Sequence, residues 1–308
     1  MQPLRIALAQ VAPRLGDLDA NLARHHELIA ESRAGGAGLV VFPELGLTGY
    51  LLQDLAAEVA MRLDDPRLTS LAAATRDLSA VVSFVEESGD HRLFIAAALL
   101  EDGEVRHVHR KIHLPTYGLF DERRFFAAGG MIRAVPSRLG VGVGLAVCED
   151  FWHLSTAQLL AMDGAQILVN VSSSPGRDLA RTHEVGLGTA GSWRGLMRTY
   201  AQLTTSFVVF CNRVGVDESL SFWGGSEVIG PTGAPVFGAP MFDEGLFMVD
   251  IDLADVRRER IGLPLLRDER PELVVREWRR LIAERAGLAD DATAAPGSAP
   301  GFDVAVDR

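Results

Sequence analysis

Cys148 stands where an apolar run stops. Leu145-Ala146-Val147-Cys148-Glu149-Asp150-Phe151-Trp152 passes from aliphatic residues to a thiol and then to two acids. A thiol at the end of a buried strand can face a pocket, and as a thiolate it is a nucleophile. A single cysteine is also a common small buried hydrophobe. The choice turns on whether the chain supplies a base, a cation and a pocket.

Three other segments offer them. Glu44 follows the apolar run Leu39-Val40-Val41-Phe42 and Pro43, so its carboxylate stands at the mouth of a predicted strand. It is a solvated loop acid or a positioned base. The segment His107-Val108-His109-Arg110-Lys111-Ile112-His113 places residues 107, 109, 111 and 113 on one face of a strand. Three histidines suggest a metal site, yet a lysine among them repels a cation and no Cys or carboxylate has ligand spacing. Lys111 inside a sheet needs a carboxylate partner, because a lone buried charge is costly. Thr116-Tyr117-Gly118-Leu119-Phe120-Asp121-Glu122 precedes two arginines and two phenylalanines. That run is either a salt-bridged surface turn or a binding loop with Tyr117 and Glu122 turned inward.

Together the residues form a chemical set. A nucleophilic thiol must lose its proton, and Glu44 can take it. A carbonyl under attack becomes an oxyanion, which Lys111 and the backbone N–H of Glu149 can hold. Glu44, Lys111 and Cys148 all lie at or near predicted strand ends.

The elements that must position them alternate along the chain. Strands are expected at 4–11, 39–43, 80–85, 93–100, 104–113, 139–147, 167–171, 206–211, 227–230 and 246–251. Helices are expected at 19–33, 67–78, 155–162, 192–204, 253–259 and 272–287. Such interleaving predicts an α/β protein with helices covering sheet faces. Gly140, Gly142 and Gly144 alternate with Val141, Val143 and Leu145. That strand has one bare face, so another element must pack closely on it. Leu145 stands where a dinucleotide fingerprint needs its last glycine. Residues 1–287 read as one domain, and 288–308, rich in Ala, Pro, Gly and Asp, as a flexible tail.

Bulk properties narrow the class. The 308 residues carry a formal net charge of −11, which argues against a nucleic-acid partner. Two cysteines fit free thiols in a reducing compartment, not a disulfide framework. The N-terminal apolar run is too short for a signal peptide, and no stretch is long enough to span a bilayer. A cytoplasmic protein without membrane contact is expected.

The motifs Phe42-Pro43-Glu44-Leu45, Arg110-Lys111-Ile112-His113-Leu114-Pro115 and Val147-Cys148-Glu149-Asp150 occur in that order. With Asn170 to Pro175, Cys211 to Gly215 and Phe222 to Ser226, they resemble the nitrilase, or carbon–nitrogen hydrolase, superfamily over roughly residues 4–285. Lys111 followed by Leu114 to Glu122, and Cys148 to Trp152, look most like the glutaminase domain of glutamine-dependent NAD synthetases. The resemblance implies a four-layer α-β-β-α sandwich and a cysteine amidase. Glu44, Lys111 and Cys148 would be catalytic, and Glu122 would orient Lys111. Tyr117, Glu149, Trp152 and Ser174 would contact substrate. No metal or organic cofactor is implied.

The resemblance also implies a homo-oligomer, dimer or higher, with helix 192–204 and the C-terminal tail as candidate interfaces. The ATP-binding synthetase region of those enzymes has no counterpart in these residues, so a freestanding domain is expected. Thr116 stands where that family more usually has Asn, and the segment after Pro175 is short. A small amide is therefore the expected substrate without glutamine being specified. The same residues suit a nitrilase, an N-carbamoyl hydrolase, an acyl transferase or a glutaminase subunit serving a separate synthetase. A silent amide-binding scaffold is the non-enzymatic alternative.

Overall fold

The computed structural model describes residues 3–176, 188–218 and 220–286. The chain divides into two compact units, one ending at Leu266 and the other beginning at Arg267. The tail expected from 288 lies outside the described residues, as does the segment after Gly176.

The first unit holds two six-stranded sheets. In the first, the spatial order is β14 (Gly245–Ile251), β1 (Leu4–Gln10), β2 (Leu39–Val41), β3 (Ser79–Glu87), β4 (Leu93–Glu101) and β5 (Glu104–Arg110). In the second it is β13 (Pro235–Gly238), β12 (Glu227–Ile229), β9 (Phe207–Asn212), β8 (Ala165–Ser172), β7 (Gly142–Val147) and β6 (Ala134–Pro136). A separate hairpin joins β10 (Val214–Asp217) to β11 (Leu220–Trp223). Both sheets are mixed: β1, β2 and β3 run parallel to one another, as do β7, β8 and β9, and antiparallel strands flank them.

The alternation of side chains along each strand explains the layering. Ile6, Leu8, Val41, Val81, Val85, Ile95 and Leu99 join the core shared with the second sheet. Their neighbours Ala7, Ala9, Val40, Ala80, Val82 and Leu100 face the other way. There they meet Leu28 and Ile29 of α1 (Leu18–Ala34) and Leu68 and Leu71 of α2 (Pro66–Ala73). α3 (Leu154–Met162) and α4 (Gly188–Thr204) cover the second sheet through Leu160, Trp193 and Met197. The order is helix, sheet, sheet, helix, an α/β sandwich of four layers. α5 (Ala254–Gly262) follows β14, and the short α6 (Leu265–Asp268) runs across the division between the two units in the chain. In the second unit, α7 (Pro271–Arg285) begins with proline, the residue suited to a first helical turn, and ends in Arg285.

Several boundaries differ from the periodicity. α2 stops at Ala73 rather than near Leu78, because the chain turns there to enter β3, with the Thr75 hydroxyl bonding Ala72 O. The strand expected to reach His113 ends at Arg110. Lys111 makes one more backbone bond, to Ile95 O at 2.8 Å. The N–H groups of Ile112 and His113 then turn to the Asp150 carboxylate. The strand expected from Leu139 starts at Gly142, because Gly140 has φ +79 and sits in a turn. Gly142 and Gly144 are under close approach as expected: a Cβ on Gly142 would stand 2.3 Å from Gly164 O, and one on Gly144 3.0 Å from Leu160 Cβ. The short strands β6, β10, β11 and β13 fall outside the expected elements, because Pro, Gly, Ser or Asp interrupts the apolar pattern in each.

Candidate active site

Cys148 occupies the joint between β7 and a tight 3₁₀ turn, Cys148–Trp152. Its φ is +44, in the left-handed region that a side chain disfavours by about 1–3 kcal/mol. The Ser172 hydroxyl donates to Cys148 Sγ at 3.2 Å. Burial pushes the thiol well above its usual pKa, and the charge of Glu44 adds to the rise. Lys111 and the Ser172 hydrogen bond pull the other way without prevailing. The resting sulfur is therefore a neutral thiol, not a preformed thiolate.

Glu44 is fully buried beyond β2. The backbone turns sharply behind it, with Leu45 at φ +50 and its N–H donating to Ser83 Oγ at 2.9 Å. Glu44 Oε2 accepts the Ser173 N–H at 2.8 Å, and Glu44 O accepts the Ser173 hydroxyl at the same distance. Oε1 accepts Lys111 Nζ at 2.7 Å.

Lys111 is also fully buried, and its ammonium lies between two carboxylates. It donates to Glu44 Oε1 and to Glu122 Oε1, each at 2.7 Å. Burial alone would lower its pKa, but the charges of Glu122 and Glu44 outweigh that and raise it well above the usual lysine value. Lys111 is a permanent cation here. Removing one partner of so buried a pair typically costs ~3–5 kcal/mol.

Glu122 begins a short 3₁₀ turn, and Tyr50 donates its hydroxyl to Glu122 Oε1 at 2.7 Å. Glu122 Oε2 is buried without a hydrogen-bond partner. Burial pushes this carboxyl up to about 7; Lys111 holds it down and Glu44 adds to the rise. A cavity of about 260 Å³ opens beside it, walled by Tyr50, Leu52, Ile95, Phe120, Glu122 and Phe126 among others. Cys148 is not among those walls.

The four residues named first by sequence thus lie together. Hydrogen bonds join Glu44, Lys111 and Glu122, and Cys148 lies within range of all three charges. The four named as substrate contacts fall into two groups. The Tyr117 hydroxyl donates to both oxygens of Glu149, at 3.0 and 2.9 Å, although the Tyr117 ring is 53% exposed. Burial raises the Glu149 carboxyl above its usual range. Trp152 is partly exposed and meets Trp193 edge-on at 5.2 Å. Trp193 in turn donates its indole N–H to Ser174 Oγ at 2.9 Å. Ser174 is buried, and its own N–H donates to Asn212 Oδ1.

The histidine row dissolves. His109 is buried against Asp150, with 2.8 Å from Nε2 to Oδ2. His113 has left the strand and stacks on His153, ring centres 3.5 Å apart. Among the described residues no group of three or more His, Cys, Asp or Glu side chains could hold a metal ion. Sequence reasoning gave no role to Tyr50, Ser172, Ser173 or Asp150. Their only signal was position, within or beside the quoted motifs.

Residues 5–260 match the family model described as carbon–nitrogen hydrolase. The chain belongs to the carbon–nitrogen hydrolase family. It is 35% identical over 257 residues to the glutamine-dependent NAD(+) synthetase of Thermotoga maritima, covering 82% of this chain and 43% of that one. The chain thus spans less than half the length of that relative. An N-carbamoylputrescine amidase of Solanum tuberosum is 27% identical over 274 residues, covering 83% of this chain and 89% of the relative. Among solved structures, an amidase of Nesterenkonia sp. AN1 superposes with a TM-score of 0.73 and 28% identity, covering 90% of this chain and 97% of that one. In that structure, of a glutamate-to-glutamine mutant, the acetamide moiety of fluoroacetamide is covalently added at the active-site cysteine. This carbon–nitrogen hydrolase is therefore a hydrolase for C–N bonds other than peptide bonds. Among its described residues no helix is long and apolar enough to cross a membrane.

Proposed function

We propose that the protein is a cysteine amidase acting on a small amide through a thioester. The observation that carries this reading is the Lys111 ammonium, held at 2.7 Å by both Glu44 and Glu122 within charge range of Cys148. Because the resting thiol is neutral, the proton must leave as the bond forms. Glu44 takes it, and Sγ attacks the amide carbon. Lys111 and the Glu149 N–H hold the tetrahedral oxyanion. Glu44 returns the proton to the leaving nitrogen, and ammonia departs from the thioester. Glu44 next takes a proton from water, whose oxygen attacks the thioester carbon; the C–S bond breaks, Glu44 returns the proton to the departing sulfur, and the acid leaves. Glu122 keeps Lys111 charged and aimed, while Tyr117, Glu149, Trp152 and Ser174 border the substrate.

The test is ammonia release across a panel of amides, ureido acids and nitriles, with mass detection of an acyl adduct on Cys148. The reading expects primary amides to lead the panel. A Cys148→Ala protein that still hydrolysed the best substrate would sink it.

A second reading is a glutaminase that passes ammonia to a separate synthetase. Its support is the 35% identity to an NAD(+) synthetase of which the chain spans 43%. The Glu149 carboxylate, held by Tyr117, would suit the ammonium of an amino-acid amide. Glutamine turnover far above that of simple aliphatic amides, and co-purification with a synthetase, would favour it. We further expect a homo-oligomer, dimer or higher, to be read by light scattering.

A further inference from the structure

Asp150 is fully buried two residues after Cys148. Its carboxylate accepts from donors of two chain segments. Oδ1 takes the N–H groups of Ile112 and His113, each at 3.0 Å. Oδ2 takes the Val147 N–H at 3.0 Å and His109 Nε2 at 2.8 Å. His109, Ile112 and His113 flank Lys111 at the end of β5, in the first sheet. Val147 directly precedes Cys148 at the end of β7, in the second.

We infer that Asp150, braced by His109, is a positioning residue that sets Lys111 and Cys148 in register across the two sheets; this rests on the amidase reading above. No ladder of hydrogen bonds links β5 to β7, since they lie in different sheets. Apolar packing between sheets is non-directional, so it resists separation better than sliding. Three directional bonds from the Lys111 segment into one carboxylate on the Cys148 segment oppose the slide, at the two chain positions where a shift would matter most. The bond to Val147 also holds the peptide that leads into the left-handed Cys148. His109 Nδ1 is buried without a partner, so the ring is placed through its Nε2–H bond to Asp150. Burial would raise the Asp150 carboxyl, but its hydrogen bonds, led by His109, hold it below the usual range, so it is the ionised acceptor that the arrangement requires.

Asp150→Asn keeps the shape. It can keep an acceptor toward Ile112 and His113, but then turns an NH₂ toward the Val147 N–H. We expect kcat for the best amide to fall about 100-fold with KM within about threefold, since misplacement of the order of 1 Å costs that much in chemistry. His109→Ala should lose about tenfold in kcat, and His109→Gln, whose amide can again donate to Oδ2, should recover to within about threefold of the parent. A role confined to stability would move the melting temperature and leave this split and rescue absent.

If Asp150→Asn does not fold, the His109 pair carries the test. If the parent protein hydrolyses no amide, the amidase reading fails on its own; the rate of acrylamide addition to Cys148, followed by mass, then reads the same ordering. Unchanged kcat, or unchanged acrylamide addition, in a folded His109→Ala or Asp150→Asn protein overturns the inference.

Discussion

Ser172 and Ser173 are adjacent at the end of β8 and hold different groups of one site. The Ser172 hydroxyl donates to Cys148 Sγ at 3.2 Å, and the Ser173 N–H donates to Glu44 Oε2 at 2.8 Å. Successive residues of an extended chain point opposite ways, yet here Ser172 reaches the sulfur through its side chain, while Ser173 holds Glu44 through both its N–H and its hydroxyl. One strand end therefore sets the spacing between the sulfur and the carboxylate proposed to take its proton.

Alkylation reads that spacing. Burial raises the Cys148 thiol, so iodoacetamide should modify it near neutral pH only as far as Glu44 accepts the proton. Glu44→Gln should slow modification by about tenfold or more. Ser172→Ala removes a hydrogen bond that lowers the thiol pKa, so its alkylation profile should move to higher pH. Cys211, fully buried and with its thiol pushed up by that burial, should stay unmodified in the folded protein. Rapid labelling of Cys148 in Glu44→Gln would refute this ordering.

Glu122 should impose opposite pH trends on activity and stability. Its folded carboxyl lies at about 7, above the ordinary value of 4.5. The folded state therefore binds this proton more tightly than the unfolded chain. Its contribution to stability is full below about 4.5 and is lost as pH rises through about 7. Activity should rise over the same upper limb, as the ionised carboxylate completes the hold on Lys111. Glu122→Gln should remove that limb from the kcat/KM profile and flatten stability between those values. Urea melts and rate profiles from about pH 5 to about pH 9, on the order of ten points each, check both.

Tyr117→Phe deletes one hydroxyl from Glu149 and leaves the hydrogen-bonded set around Lys111 intact. A half-exposed hydrogen bond to a carboxylate is worth ~1 kcal/mol, so KM should rise about fivefold with little change in kcat. An equal loss in kcat would place Tyr117 in the chemistry instead of in binding.

Gly142→Ala tests how the second sheet is built. The new Cβ would stand 2.3 Å from Gly164 O, a backbone atom that cannot rotate away. Overpacking of this kind costs ~1–3 kcal/mol, which calorimetry will register as a lower melting temperature. Gly140→Ala has open space around it, and its cost would come from the left-handed backbone alone.

Sequence alone carried the alternating α/β order and the placing of Glu44, Lys111 and Cys148 at or near strand ends, because each is a local signal: an apolar run of strand length, or a polar residue where that run ends. The four layers and the role of Glu122 came with the family resemblance that the ordered motifs carry. The histidine row shows the limit of such signals. Strand period placed residues 107, 109, 111 and 113 on one face, but the strand ends at Arg110, and past Lys111 the N–H groups of Ile112 and His113 turn to Asp150 in the turn that follows β7. Tyr50, Ser172 and Ser173 were in plain view and could not be assigned, since their partners lie 72, 24 and 129 positions away. Which carboxylate meets which cation, whether the thiol rests protonated, and how two sheets hold one site all depend on distances between remote segments. Those distances exist only once burial has excluded water and forced each polar group to find a partner in the fold.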